Sequence, residues 1–170
     1  MTIAEADATG YVRNVPLLTP LSPAQLPVLR LHAAFGAGIA FLGSLVPNLI
    51  LLQDQPAIGA AVAAGAALLA AAYASMMPRR RYRSWGYAVT GDELHVAHGV
   101  LTRVRTAVPF GRVQHLDVTQ GPVQRRYGVA TLILHTAGNR AATVALPGLD
   151  RAEAERLRDE IRAKIRADLG

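Results

Sequence analysis

Residues 31–77 decide the architecture. Leu31–Leu52 reads LHAAFGAGIAFLGSLVPNLILL, Pro56–Met77 reads PAIGAAVAAGAALLAAAYASMM, and Gln53-Asp54-Gln55 separates them. Each run is 22 residues long, and Asp54 is the one formal charge in the whole stretch. A helix of about 20 apolar residues crosses a ~30 Å hydrocarbon core. A junction this short joins two antiparallel helices through a tight turn. Pro56 falls in the first turn of the second helix, where its missing N–H costs nothing. Pro47 and Asn48 predict a kink near the end of the first. The competing reading is a buried hairpin of a soluble protein. Neither run, however, has a polar face to turn towards water, and a chain of 170 residues could hardly surround them. A cleaved signal peptide fits less well, because the first run lacks a basic leader and a second run follows it.

The flanks of these runs set an expected orientation. Arg30 precedes the first, Arg79, Arg80, Arg81 and Arg83 follow the second, and the turn between carries no cation. The positive-inside rule then places both termini in the cytoplasm. The second run holds eleven alanines. Small residues let helices approach closely, so Gly36 with Ala40 and Ala61 with Gly65 are candidate helix-packing positions for a partner helix or a second copy. A GC-rich coding sequence would produce the same excess, and would also explain 17 arginines against one lysine. No ionisable group lies at mid-membrane depth, which argues against a transporter or proton relay.

Composition excludes several other classes. The chain is 51% hydrophobic and 18% charged, with a mean hydropathy of +0.23, so it is not disordered. It has no cysteine, which removes disulfides, thiolate metal sites and a cysteine nucleophile. Its net charge is +6, and the excess of cations falls after residue 78. A basic surface of that kind suits acidic lipid or nucleic acid, or serves solubility alone.

Residues 85–146 read as strands and turns. Trp85–Thr90, Glu93–His98, Val100–Val108, Arg112–Thr119, Val129–Thr136 and Ala141–Leu146 are β-branched or alternating runs. They are separated by Gly91-Asp92, Gly99, Pro109, Gly121-Pro122 and the loop Ala137–Arg140. In the third run Arg103 and Arg105 share one face. From Asp150 a helix is expected, with Glu153 completing a capping box and Leu149, Leu157, Ile161 and Ile165 on one side. The expected division is a lead at 1–27, a helical hairpin at 28–77, a basic linker at 78–84 and a β domain with its helix at 85–170.

Several ordered stretches carry a family resemblance. They are Trp85-Gly86-Tyr87 leading to Gly91-Asp92-Glu93-Leu94, then His98–Arg103, Val108–Val118, Gln120–Ala130 and His135–Gly138. Together with the two preceding spans, this series resembles the bacterial pleckstrin-homology-like (bPH2) membrane proteins of the YdbS-like type, over residues 28 to about 166. The resemblance implies an α+β membrane protein: a transmembrane helical hairpin, then a pleckstrin-homology-like antiparallel β-barrel or sandwich capped by a C-terminal helix. It implies no enzymatic activity and no cofactor. It also implies a partner, either a second copy or a larger membrane protein with several such domains.

Candidate chemistry is sparse. His95, His98, His115 and His135 read as polar strand-face residues, because a zinc site needs three or four converging ligands. No G-x-S-x-G, phosphate-loop or dinucleotide fingerprint occurs. Aromatics are too few for a nucleic-acid stacking platform. The arginines are the main signal. Arg79, Arg80, Arg81, Arg83, Arg103, Arg105, Arg112, Arg125 and Arg126 are candidates for anionic lipid or an acidic partner, although topology and a solvated exterior would also account for them. The expected function is a non-enzymatic, membrane-anchored module for protein assembly, with lipid headgroup binding as the alternative.

Overall fold

The computed structural model describes residues 2–6, 12–137 and 143–168. They form two units: residues 26–82, and residues 1–25 together with 83–170.

The first unit is the hairpin. Its helices are α1 (Gln25–Leu51) and α2 (Pro56–Ser84). At 1.5 Å per residue each is about 40 Å long, more than a hydrocarbon core requires. Their most apolar windows are 6% and 0% buried, so these are not the core helices of a soluble fold. Phe35, Leu42, Leu49, Leu51, Leu68 and Leu69 are all largely exposed, an arrangement that only lipid or another apolar helix can solvate. The turn is closed by a side chain: Asn48 Nδ2 donates to the Gly59 carbonyl at 3.0 Å. A Cβ on Gly59 would meet Asn48 Oδ1 at 3.1 Å, so this is where the hairpin itself needs a small residue.

The stretch 78–84, expected as a linker, is the C-terminal part of α2. Arginine is a good helix former, so the helix does not stop where its apolar run ends.

The second unit holds two three-stranded antiparallel sheets and a helix. The lead contributes β1 (Thr2–Ala6) and β2 (Val12–Pro16), an antiparallel pair. The first sheet is β3 (Gly86–Thr90), β4 (Glu93–His98) and β5 (Val104–Pro109). The second is β6 (Val113–Thr119), β7 (Val129–Thr136) and β8 (Thr143–Asp150). Between β6 and β7 lies a short helix α3 (Pro122–Arg126), where only a turn was expected. Pro122 occupies its first turn, and the Gln124 side chain accepts from the Gly121 N–H at 3.0 Å. The chain ends with α4 (Arg151–Asp168). The expected loop 137–140 lies mostly outside the described residues.

One strand is shorter than its alternation suggests. Val100–Arg103 forms a turn, and β5 begins at Val104. Gly99 has φ +114°, and a Cβ there would collide with the Thr102 carbonyl. The backbone folds over itself at a conformation only glycine adopts readily, which alternation of side chains cannot reveal. Arg103 therefore precedes the strand that carries Arg105.

The core is leucine-rich. Leu94, Leu132, Leu134 and Leu146 are fully buried, as are Ala154, Leu157 and Ile161 on α4. Positions 154, 157 and 161 recur at helical spacing, so α4 lays one apolar stripe over β6, β7 and β8. It also reaches the first sheet. Lys164 Nζ donates to the Gly91 carbonyl at 2.6 Å, and the Tyr87 hydroxyl donates to Glu153 Oε1 at 3.3 Å. The two carboxylates expected to cap α4 thus have other partners: Asp150 Oδ1 accepts from Ser22 Oγ at 2.7 Å, and Glu153 takes Arg156 and Tyr87.

The Glu153 cluster has a pH signature. Hydrogen bonds from Arg156 hold the Glu153 carboxyl below its usual 4.5; partial burial opposes this. A depressed carboxylate stabilises the fold above its unfolded value, and that contribution disappears as pH falls through the folded one. Glu153→Gln should therefore flatten the acid limb of stability below about pH 4.5. Urea midpoints at a series of pH values measure this, and parallel acid limbs for variant and wild type would disprove it.

Candidate functional site

The candidate arginines do not form one site. Arg79, Arg80 and Arg81 are exposed on the last turns of α2. At 100° per residue Arg79 and Arg83 share a face, while Arg80 and Arg81 point elsewhere. Arg112 ends a 3-10 turn after β5, and its carbonyl accepts from the Ala137 N–H at 3.0 Å. Arg125 and Arg126 are exposed on α3. Only Arg83, Arg103 and Arg105 come together, around a cleft of about 260 Å³ on the first sheet.

Strand register builds that cleft. Gly86 pairs with Ala97, and Ala97 pairs with Arg105. These three therefore sit side by side on one sheet face, two of them small enough to form a floor. The extended segment after β2 adds a wall. Thr19 and Tyr87 exchange backbone hydrogen bonds at 2.7 and 3.0 Å, which lays Leu18 and Pro20 along β3. A Cβ on Gly86 would approach Leu18 Cβ to 2.9 Å, so the wall stands directly against the floor. At one end the Trp85 and His98 rings stack with centroids 4.7 Å apart. Trp85 and His98 flank the Gly86–Ala97 pair, so their meeting follows from the hairpin register. The Gly91-Asp92 turn in the sequence was the signal for it.

The other histidines have local partners. His95 faces Glu93 at 3.5 Å. On β6 and β7, His115 and His135 are cross-strand neighbours, and Asp117 takes both, at 2.9 and 3.2 Å. Among the described residues no group of three or more His, Cys, Asp or Glu has the arrangement to hold a metal ion.

The hairpin carries a second concavity. A groove of about 600 Å³ runs between α1 and α2, and its lining includes Gly36, Ala40 and Phe41 from one helix and Leu69 and Tyr73 from the other. Ala61 and Gly65 lie outside it. A Cβ added to Gly36 or Gly65 would meet nothing within 4 Å, so neither glycine is required by packing inside this chain.

Comparison with known proteins agrees with this architecture. The family described as "Bacterial PH domain" matches residues 37–165. The chain is 38% identical over 86 residues to the UPF0699 transmembrane protein YdbS of Bacillus subtilis (strain 168), covering 51% of this chain and 52% of that protein. The aligned part is thus about half the length of that relative. No solved structure matches. The two exposed apolar helices and the transmembrane relative support a membrane location, with a module of two sheets and a helix attached. The chain belongs to the bacterial PH domain family.

Proposed function

We propose that the chain is a non-enzymatic, membrane-anchored binding module. In this reading its PH-like domain lies in the cytoplasm, and its hairpin assembles in the inner membrane with protein. That partner is a second copy or a larger membrane protein carrying several such domains. The groove between α1 and α2 is the supporting observation. Gly36 lines it without a neighbour that needs it small, in contrast to Gly59 at the hairpin turn. A glycine inside a helix costs roughly 1 kcal/mol relative to alanine in water. A partner helix seated on the groove would offset that cost through close contact.

The test replaces Gly36 and Ala40 with leucine. Nothing in this chain opposes a side chain at position 36, so the hairpin should remain helical. The purified wild-type protein should run as a discrete oligomer in mild detergent, and the double variant as a monomer. A wild-type protein that is monomeric at every concentration would overturn the reading.

Arg79, Arg80 and Arg81 favour a second reading, attraction to anionic headgroups. Each cation near such a leaflet contributes about 1 kcal/mol. Their exposure at the end of an apolar span supports it, and it would be weakened by salt.

A further inference from the structure

We infer that residues 17–25 are a releasable strap, which masks the outer edge of β3 and opens independently of the two sheets, with Gln25 setting how firmly it closes. This goes beyond the assembly reading and does not depend on it. β3 and β8 are end strands of their sheets, and no strand ladder joins them. The strap spans the two. Thr19 exchanges two backbone hydrogen bonds with Tyr87 on β3, at 2.7 and 3.0 Å. The Ser22 N–H donates to the Gly148 carbonyl on β8 at 2.8 Å, and Ser22 Oγ donates to Asp150 Oδ1 at 2.7 Å. Leu21, between these attachment points, is 2% exposed. A bare strand edge is a template for pairing with another chain. The isolated bridge between Thr19 and Tyr87 occupies that edge of β3.

The seat of Gln25 is tight but incomplete. Gly148 has φ +74°, and a Cβ there would lie 2.5 Å from Gln25 Cγ. The glutamine side chain thus rests on bare backbone of β8, at a position only glycine serves. Gln25 is 5% exposed, and its Oε1 is buried without a hydrogen-bond partner among the described residues. A buried acceptor without a donor forfeits the hydrogen bonds that water would give it. Lifting the strap restores them. The closed form carries this penalty and the open form does not, which brings the two closer in free energy. The strand beneath is held differently, since β3 is paired with β4 from Gly86 to Thr90. A segment attached at a few points opens without the strands it rests on. Gln25 is also the first residue of α1, so the strap is the stretch of chain that leads into that helix.

Amide hydrogen exchange of the full-length protein in mild detergent tests this. The N–H groups of Thr19, Ser22 and Tyr87 all donate across the strap's contacts. Leu94 and Leu132 lie in the central strands of the two sheets and report on the sheets themselves. The three strap amides should share one degree of protection, roughly 100-fold or more below that of Leu94 and Leu132. Gln25→Met keeps the length of the side chain and removes the group that lacks a partner. It should slow the three strap amides by about tenfold and leave the two sheet amides unchanged. Ser22→Ala removes the bond to Asp150 and should speed the same three by about tenfold, again without moving the sheets. Strap amides as well protected as Leu94 and Leu132 would overturn the proposal. So would a Gln25→Met protein whose strap exchanges no more slowly than wild type, or either variant shifting all five amides together, because the latter signifies a change in global stability. The oligomer measurement reads the hairpin, and it succeeds or fails separately.

Discussion

Leu132→Ala should destabilise the PH-like unit by about 2–5 kcal/mol, whereas Ile133→Ala, one position along the same strand, should cost roughly 1 kcal/mol. The contrast follows from the pleat. In β7, Ala130, Leu132 and Leu134 are fully buried, while Thr131, Ile133 and His135 are partly exposed on the other face. Leu132 is paired with Leu146 on β8, itself fully buried, and the stripe Ala154–Leu157–Ile161 of α4 supplies the opposing layer. Truncation at 132 leaves a cavity with walls fixed by a central strand and a helix, so little collapse can relieve it. Ile133 borders solvent, and water fills what its truncation vacates. Small domains have a net stability of about 5–15 kcal/mol, so the first loss is a large fraction of the total. Urea unfolding of the full-length protein in detergent, followed through Trp85, measures both. If Ile133→Ala proved the costlier change, β7 would be slipped by one residue, which exchanges its two faces.

The parts of this fold that were legible in the sequence are those specified locally. Glu93–His98 and Val129–Thr136 were readable to the residue because a strand's alternation and its bounding turns lie within a few positions. The two spans were readable because 22 residues without a charge leave only one solvent for them. What escaped was specified at a distance or by backbone alone. The lead bonds through Ser22 to Asp150, 128 residues away, and through Thr19 to Tyr87. Nothing in residues 17–22 advertises either partner. The Gly99 turn hid behind Val100, Thr102 and Val104, which alternate as a strand would. The break came from a positive φ and a folded-over carbonyl. The same distinction governs the arginines. Their number was visible, but their grouping was not. Arg83, Arg103 and Arg105 meet because strand register and the end of α2 bring them together, while Arg112, Arg125 and Arg126 went to other elements.

Reversing the flanking charge should reverse the protein in the membrane. The absence of native cysteine makes this simple to read, since one introduced thiol is the only thiol. Gln53 is exposed in the hairpin turn, and Asp92 is exposed in the β3–β4 turn. In intact bacterial cells a membrane-impermeant maleimide should label Gln53→Cys fully. It should reach Asp92→Cys only after lysis. The net charge of the large domain is not what sets this, because long domains cross membranes largely regardless of charge. The deciding cations lie within about 15–20 residues of the spans. Arg30, Arg79, Arg80, Arg81 and Arg83 are all on the terminal side, and the turn has none. Exchanging Arg79, Arg80, Arg81 and Arg83 for glutamine removes most of that bias. Adding arginine at Gln55 and at Asp54 opposes what remains. The labelling pattern of the two cysteines should then invert in a large share of molecules. Labelling of Asp92→Cys in intact cells expressing the otherwise native chain would place the domain outside. The cytoplasmic module would then have to be abandoned.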